Sequence, residues 1–290
     1  MITPVHFEDG DYGLKAVLTS PWSESVGAEI KSRRCAEIEI NNAKGWKGND
    51  LSFLREFPNL KALKIIDFTI ASVEPIHFLK ELQALEVMTY CLTPIRFSSF
   101  PMLEDCGLEW RSGAESLFEQ IKLRKLFVNS YKGKGAEAFG RLVNLENLAI
   151  LNAPIGNLNF LATLGKLHVL RLANLKKIHS LKGIERLVNL EELEIHTCRN
   201  IGSIDEIGSL PVLKKLYLNN DGDIASFKPL KRLEDLEAVI FYESTNVIDG
   251  DLSPLALQKN LSRVSFQNRR HYSHKREDFG AAYTNCNHPL

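Results

Sequence analysis

Little in this chain would give it chemistry of its own. It contains no Walker-type phosphate loop, no G-x-G-x-x-G and no G-x-S-x-G turn, so the common nucleotide-binding and hydrolase signatures are missing. Lys plus Arg equal Asp plus Glu at 36 each, and no bulk charge points to nucleic acid or an anionic membrane. No apolar run approaches the length of about 18 residues that a membrane-spanning helix needs. The five cysteines (Cys35, Cys91, Cys106, Cys198, Cys286) form no closely spaced pair. They read as small buried hydrophobes in a reducing compartment. The opening residues carry acids early and lack a basic stretch followed by an apolar one, so a cytoplasmic location is expected.

What the chain has is repetition. An L-x-x-L-x-L unit returns about every 22 residues, led by Leu60, Leu82, Leu103, Leu123, Leu145, Leu167, Leu190, Leu213, Leu236 and Leu261. A period of this length predicts a solenoid with one short strand and one return segment per repeat. Leu145, Leu148 and Ile150 place apolar side chains inward on a turn and a strand, and Ile155, Leu158, Leu161 and Leu164 follow. Spacing of three in that second half fits a 3₁₀-like or extended return rather than a full α-helix. One repeat cannot bury so many apolar groups alone; stacked repeats can.

The pattern, with units such as Leu193-Glu-Ile195 followed by Ile204, Ile207 and Leu210, resembles the short-repeat leucine-rich repeat (LRR) class, internalin-like and SDS22-like. The likeness runs over roughly residues 36 to 267. It implies an α/β solenoid, a horseshoe with a parallel concave sheet and 3₁₀ or extended convex segments. The class usually carries Asn at the ninth repeat position, where Phe68, Tyr90, Ala153, Leu175, Cys198 and Asp221 stand here. An asparagine ladder is therefore expected to be absent or shifted.

The expected organisation is an N-terminal cap over 1–34, about ten to eleven repeats over 35–267 and a C-terminal cap or tail over 268–290. A strand near Leu14 and a helix opened by Ser23 would cover the first repeat, because a solenoid end otherwise exposes a slice of core. The tail holds the run Asn268–Arg276, where Tyr272 is expected to pack on the last repeat. Its His271, His274, Cys286 and His288 match no closed zinc site by spacing, and no cofactor or metal is expected.

In this class the residues flanking the two inward leucines of each strand face solvent on the concave side. Phe127, Ala149, Leu151 and Val169 would form an apolar patch. Glu86, Asp105 and Glu109 would flank it on one side, and Glu192 and Glu194 on the other. Arg171, His196, Lys215, Tyr217 and Tyr242 follow. An aromatic centre with a charged rim is how interface hot spots are often built. The same columns also have a plain structural reading, since alternating signs at Glu39, Lys64 and Glu86 would neutralise adjacent strands.

The expected function is non-catalytic: a monomer that binds a partner protein on its concave face, one version being an inhibitor or immunity protein. The alternatives are a regulatory subunit of a cytosolic enzyme, as the SDS22-like resemblance implies, and an exported internalin-like effector. Neither a membrane nor nucleic acid is an expected partner.

Overall fold

Sequence spacing of three becomes 3₁₀ hydrogen bonding in the return segments. In the computed structural model, which describes residues 3–280, Leu161 N–H donates to the Leu158 carbonyl (3.0 Å), Leu164 to Leu161 (2.9 Å) and Leu167 to Leu164 (3.1 Å). Each leucine is thus both a core side chain and a link in an i→i−3 chain, and all four are buried. The strand that follows is tied to the preceding repeat through its first residues: His168 N–H meets the Glu146 carbonyl at 2.7 Å, and Glu191 N–H meets that of His168 at 2.9 Å.

The chain divides into two units, Met1–Gly133 and Lys134–Leu290. The first holds β1 (Val5–Asp9), β2 (Leu14–Leu18), α1 (Glu24–Ser32), β3 (Glu37–Asn41), β4 (Ala62–Ile66), β5 (Ala84–Met88), β6 (Asp105–Glu109) and β7 (Lys125–Asn129). The strands neighbour one another in chain order. Only β1 and β2 are antiparallel. In the second unit β8 (Asn147–Leu151), β9 (Val169–Ala173), β10 (Glu192–His196), β11 (Lys215–Asn219), β13 (Ala238–Tyr242) and β15 (Arg263–Phe266) form a parallel sheet. There β12 (Asp223–Ile224) pairs with β14 (Asn246–Val247), and α2 (Ser253–Ala256) is a single turn.

The strand near Leu14 and the helix from Ser23 are both present, with one addition. Ser23 caps α1, its hydroxyl accepting from Val26 N–H at 3.4 Å, and Val26 and Ile30 are buried. Trp22 stacks on Phe53 with ring centroids 3.9 Å apart. The addition is β1, which with β2 makes a hairpin in front of the first repeat strand. At the other end Tyr272 lies 5.9 Å from the Phe266 ring and 6.2 Å from that of Phe241. Within the basic run there, Arg269 makes local bonds, donating to the carbonyls of Glu243 (3.0 Å) and Thr245 (3.3 Å). Cys286 and His288 lie outside the described residues. Among the described residues no group of three His, Cys, Asp or Glu side chains could hold a metal.

Two turn geometries leave the strands, and they explain the missing ladder. Ser130, Asn152, Asn174, Thr197, Asn220 and Glu243, all at the eighth repeat position, have φ between +53° and +60°. After five of these six left-handed turns the ninth residue rolls inward, and Tyr131, Ala153, Leu175, Cys198 and Asp221 are buried; after Glu243 the ninth residue, Ser244, is exposed and Thr245 is buried instead. Asparagine tolerates this conformation better than most residues, which is why it recurs one place earlier than expected. Asn174 donates its side-chain amide to Asn152, and Asn220 donates to Thr197 at 3.3 Å. The repeats of β4 and β5 lack the left-handed residue. There the eighth residues, Asp67 and Thr89, are buried and the ninth, Phe68 and Tyr90, face solvent.

Candidate functional site

Alternation along each strand sends positions four and six into the core and leaves positions three, five and seven on the opposite face. In the second unit this face is built around Arg171. Its Nε donates to Glu194 and its terminal nitrogen to Glu192, each at 2.7 Å. Glu192 also receives Lys215 at 3.2 Å, and Glu194 receives His196 Nε2 at 3.3 Å. Asn219 Nδ2 then lies 3.4 Å from His196 Nδ1. Burial alone would raise the Glu194 carboxyl; bonds from His196 and Arg171 outweigh it and hold the group at about 2. Glu194 is therefore an anion at neutral pH. His196 lies between two polar groups, its Nε2 toward the Glu194 carboxylate and its Nδ1 toward the Asn219 amide. Arg171 remains 43% exposed at its side chain, so a guanidinium fixed from behind is presented outward.

The register places the remaining expected residues around this cluster. Ala149 pairs with Arg171, Tyr217 with Glu194, and Leu151 with Ala173, while Tyr242 pairs with Asn219 and its hydroxyl meets that of Ser265. Ala149, Glu194 and Tyr217 are more covered than face positions suggest, at 8%, 8% and 5% exposure. Strands about 4.8 Å apart press neighbouring side chains together, so a column can bury its own members. The expected apolar patch is divided. Leu151 and Val169 are half-buried in the seventh-position and third-position columns, with Ala149 and Arg171 in the column between. Phe127 belongs to the first unit, half-buried beside Gly107.

In the first unit the expected acids do not cluster. Glu86 binds Lys64 at 2.8 Å, Asp105 faces Lys125 at 3.8 Å, and Glu109 accepts from Asn129 at 2.7 Å. Burial raises the Asp105 carboxyl, with Lys125 opposing and Glu86 and Asp11 adding to the rise. Glu39 is the register partner of Lys64, and Lys64 of Glu86, so the expected alternation of sign is present; Glu39 is itself buried, and its direct bonds go to Lys44 at 2.9 Å and Asn41 at 3.0 Å. In the sequence Phe68 and Tyr90 stand out only as departures from the repeat. They are exposed side by side, ring centroids 4.5 Å apart. The signal that pointed to them was an aromatic residue where the repeat expects asparagine.

Two of the cysteine thiols are muted by burial. Cys106 and Cys198 are buried at core positions; burial pushes the Cys106 thiol far up and that of Cys198 up to about 12. Neither is poised as a nucleophile.

No protein-family model matches the sequence, and no curated protein does. Solved structures do match. An internalin (inlF) from Listeria monocytogenes aligns with a TM-score of 0.64 at 17% identity, over 87% of this chain and 75% of that one. An internalin C2 (inlC2) from the same species gives 0.50 at 21%, over 72% of this chain and 81% of that one. A TLR13–ssRNA13 complex gives 0.55 at 17%, over 81% of this chain and 34% of that one. Identities this low carry a likeness of fold alone, and with the repeat geometry they establish it: this chain folds as an internalin-like leucine-rich-repeat solenoid.

Proposed function

We propose that this chain is a non-catalytic binding module for another protein, engaged through the strand face that bears positions three, five and seven, the concave side in a leucine-rich-repeat horseshoe. The carrying observation is the preset geometry around Arg171, held by Glu192 and Glu194 while still open to solvent. A surface already ordered in the free protein loses little side-chain freedom on binding. Within this reading the protein acts as a cytoplasmic monomer that inhibits its partner by covering it. The thiols of Cys35, Cys91, Cys106 and Cys198 are all unbridged, which suits a reducing compartment.

The test is affinity capture from native lysate beside two surface variants, Phe127→Asp and Leu151→Asp, each at a half-buried face position. Glu194→Lys is unsuitable as a probe, since it would set a cation against Arg171 in a covered site. A stoichiometric protein retained by the unaltered chain and lost by either folded variant supports the reading. Loss of the captured partner's activity in the complex supports the inhibitor version. A partner held equally by all three forms overturns the strand-face assignment.

A further inference from the structure

We propose that the strand-end cluster of Ile66, Phe68, Met88, Tyr90 and Leu92 in the first unit is the docking site for a protein segment that presents an arginine beside an aliphatic side chain. The proposal rests on the binding-module reading above and names both the surface and the chemistry of its occupant.

Phe68, Tyr90 and Leu92 are 51%, 69% and 85% exposed, and the two rings contact each other. Ile66 and Met88 are register partners on β4 and β5 and are half-exposed next to them. Folding explains this arrangement only in part: buried Arg111 donates to the Thr89 carbonyl (3.2 Å) and hydroxyl (3.3 Å) and to the Cys91 carbonyl (3.1 Å), which fixes the second turn and not the first. In both repeats a polar residue is buried where the later repeats bury the following side chain: Asp67 and Thr89 go inward, Phe68 and Tyr90 outward. Asp67 Oδ1 accepts from the Thr69 N–H and hydroxyl, and its Oδ2 is buried with no partner. Burying a carboxylate oxygen while exposing an adjacent phenyl ring disfavours the fold twice over. The opposite turn, used from Ser130 onward, would reverse both effects. Outward aromatics held against that gradient are accounted for by something that covers them.

Charge says what that is. Positions three, five and seven of β3 to β7 carry five acids; Glu39, Glu86 and Asp105 are met by Lys44, Lys64 and Lys125, which leaves Glu37 and Glu109. Glu109 follows Leu108, the register partner of Val87, and so stands beside Met88. Its hydrogen-bond partner is the neutral amide of Asn129, and among the described residues no cation lies within ion-pair distance of it. Tyr90 is two residues beyond Met88, at most about 7 Å from it along the chain. A planar guanidinium can stack on Tyr90 or Phe68 while donating to Glu109, and a lysine ammonium does this less well. The neighbouring aliphatic side chain would take the apolar ground of Ile66, Met88 and Leu92.

The experiment pans a phage-displayed library of random peptides on the intact chain, with depletion on a Phe68→Ser, Tyr90→Ser, Leu92→Ser variant that melts as cooperatively as the parent. If that variant does not fold, Tyr90→Ser alone replaces it. The recovered peptides are expected to share an arginine close to an aliphatic residue. Changing that arginine to glutamine in the peptide, or Glu109→Gln in the protein, should each weaken binding about tenfold. Acidic or cation-free peptides, peptides indifferent to Glu109→Gln, or no patch-dependent peptide at all overturns the proposal. If the peptides recovered instead lose binding with Leu151→Asp, the proposal fails while the module reading stands; dependence on neither surface overturns both. Self-association of the intact chain in sedimentation, abolished in the variant, would make the occupant a second copy and overturn it as well.

Discussion

Asp221 reaches back one repeat and accepts the backbone N–H of Cys198 at 2.8 Å. This is the bond an asparagine ladder would make, performed by a carboxyl group that is 1% exposed. Burial pushes it up to about 8 against the two backbone N–H groups of Cys198 and Asn219, and its Oδ2 has no partner.

A raised folded-state value fixes the direction of its pH dependence. Below the unfolded value of 3.8 both states are protonated and the full contribution is present. As pH rises from there to about 8 the unfolded chain loses the proton first, so stability falls across that window and then levels. Asp221→Asn supplies a neutral group of the same shape. It is expected to raise stability at pH 8 by about 2 kcal/mol and to flatten the slope between pH 4 and 8. Thermal melts of both proteins over that range check this; parallel slopes in the two would refute it.

Glu194 runs the other way. Burial works against its charge, but His196 and Arg171 hold it at about 2, below its ordinary 4.5. Its contribution is therefore complete above pH 4.5 and is lost as pH falls toward 2. Glu194→Gln should destabilise the protein by roughly 2 kcal/mol at pH 7 and by much less at pH 2.5, where parent and variant converge. Urea unfolding midpoints at the two pH values make the comparison. A gap that is the same at both would mean the ion pair with Arg171 is not what the carboxylate contributes.

Thr197 holds φ at +56°, a conformation that its branched Cβ disfavours, in a column it shares with Ser130, Asn152, Asn174, Asn220 and Glu243. Thr197→Asn relieves that strain and keeps an acceptor for Asn220 Nδ2, which now bonds the threonine hydroxyl. The expected gain is about 1 kcal/mol, or a rise in Tm of a few degrees. Thr197→Val, branched and without the hydroxyl, should lower Tm instead. Calorimetry on the two variants separates backbone strain from the lost hydrogen bond.

Much of this architecture could be read from spacing, and the exceptions share a cause. Leu158, Leu161 and Leu164 announce both core and 3₁₀ turn because one periodicity serves both. Ser23 before an apolar run marks the helix start for the same kind of local reason. The turn after each strand depends instead on the sign of one φ. Hydrophobic spacing cannot say whether Asp67 or Phe68 rolls inward, and the asparagines accordingly lie at position eight rather than nine. Hairpin strand β1 carries no such signal, because its pairing with β2 is set by tertiary position rather than by repeat. Of the expected site residues, Arg171, Glu192, Glu194 and His196 do come together. Their mutual bonding is a property of register between strands more than 20 residues apart in sequence, which no single repeat displays.

Tyr272 closes the second unit, and its two roles can be separated. The ring lies against Phe266 and Phe241, which stack on each other at 4.8 Å, so removing it uncovers the last aromatic layer of the core. The hydroxyl accepts Val247 N–H at 3.1 Å and donates to Asn246 Oδ1 at 3.3 Å, anchoring β14. Tyr272→Phe keeps the layer and leaves the Val247 N–H unmatched, an expected loss of about 1 kcal/mol. Tyr272→Ala removes both and should lose roughly 3 kcal/mol or more. Because neighbouring repeats stabilise each other, the damage should begin at the open end. Amide exchange in Tyr272→Ala should accelerate first in β15, β14 and β13 while β9 and β10 stay protected. Uniform acceleration throughout 134–280 would mean the second unit melts as a single block and Tyr272 is no cap.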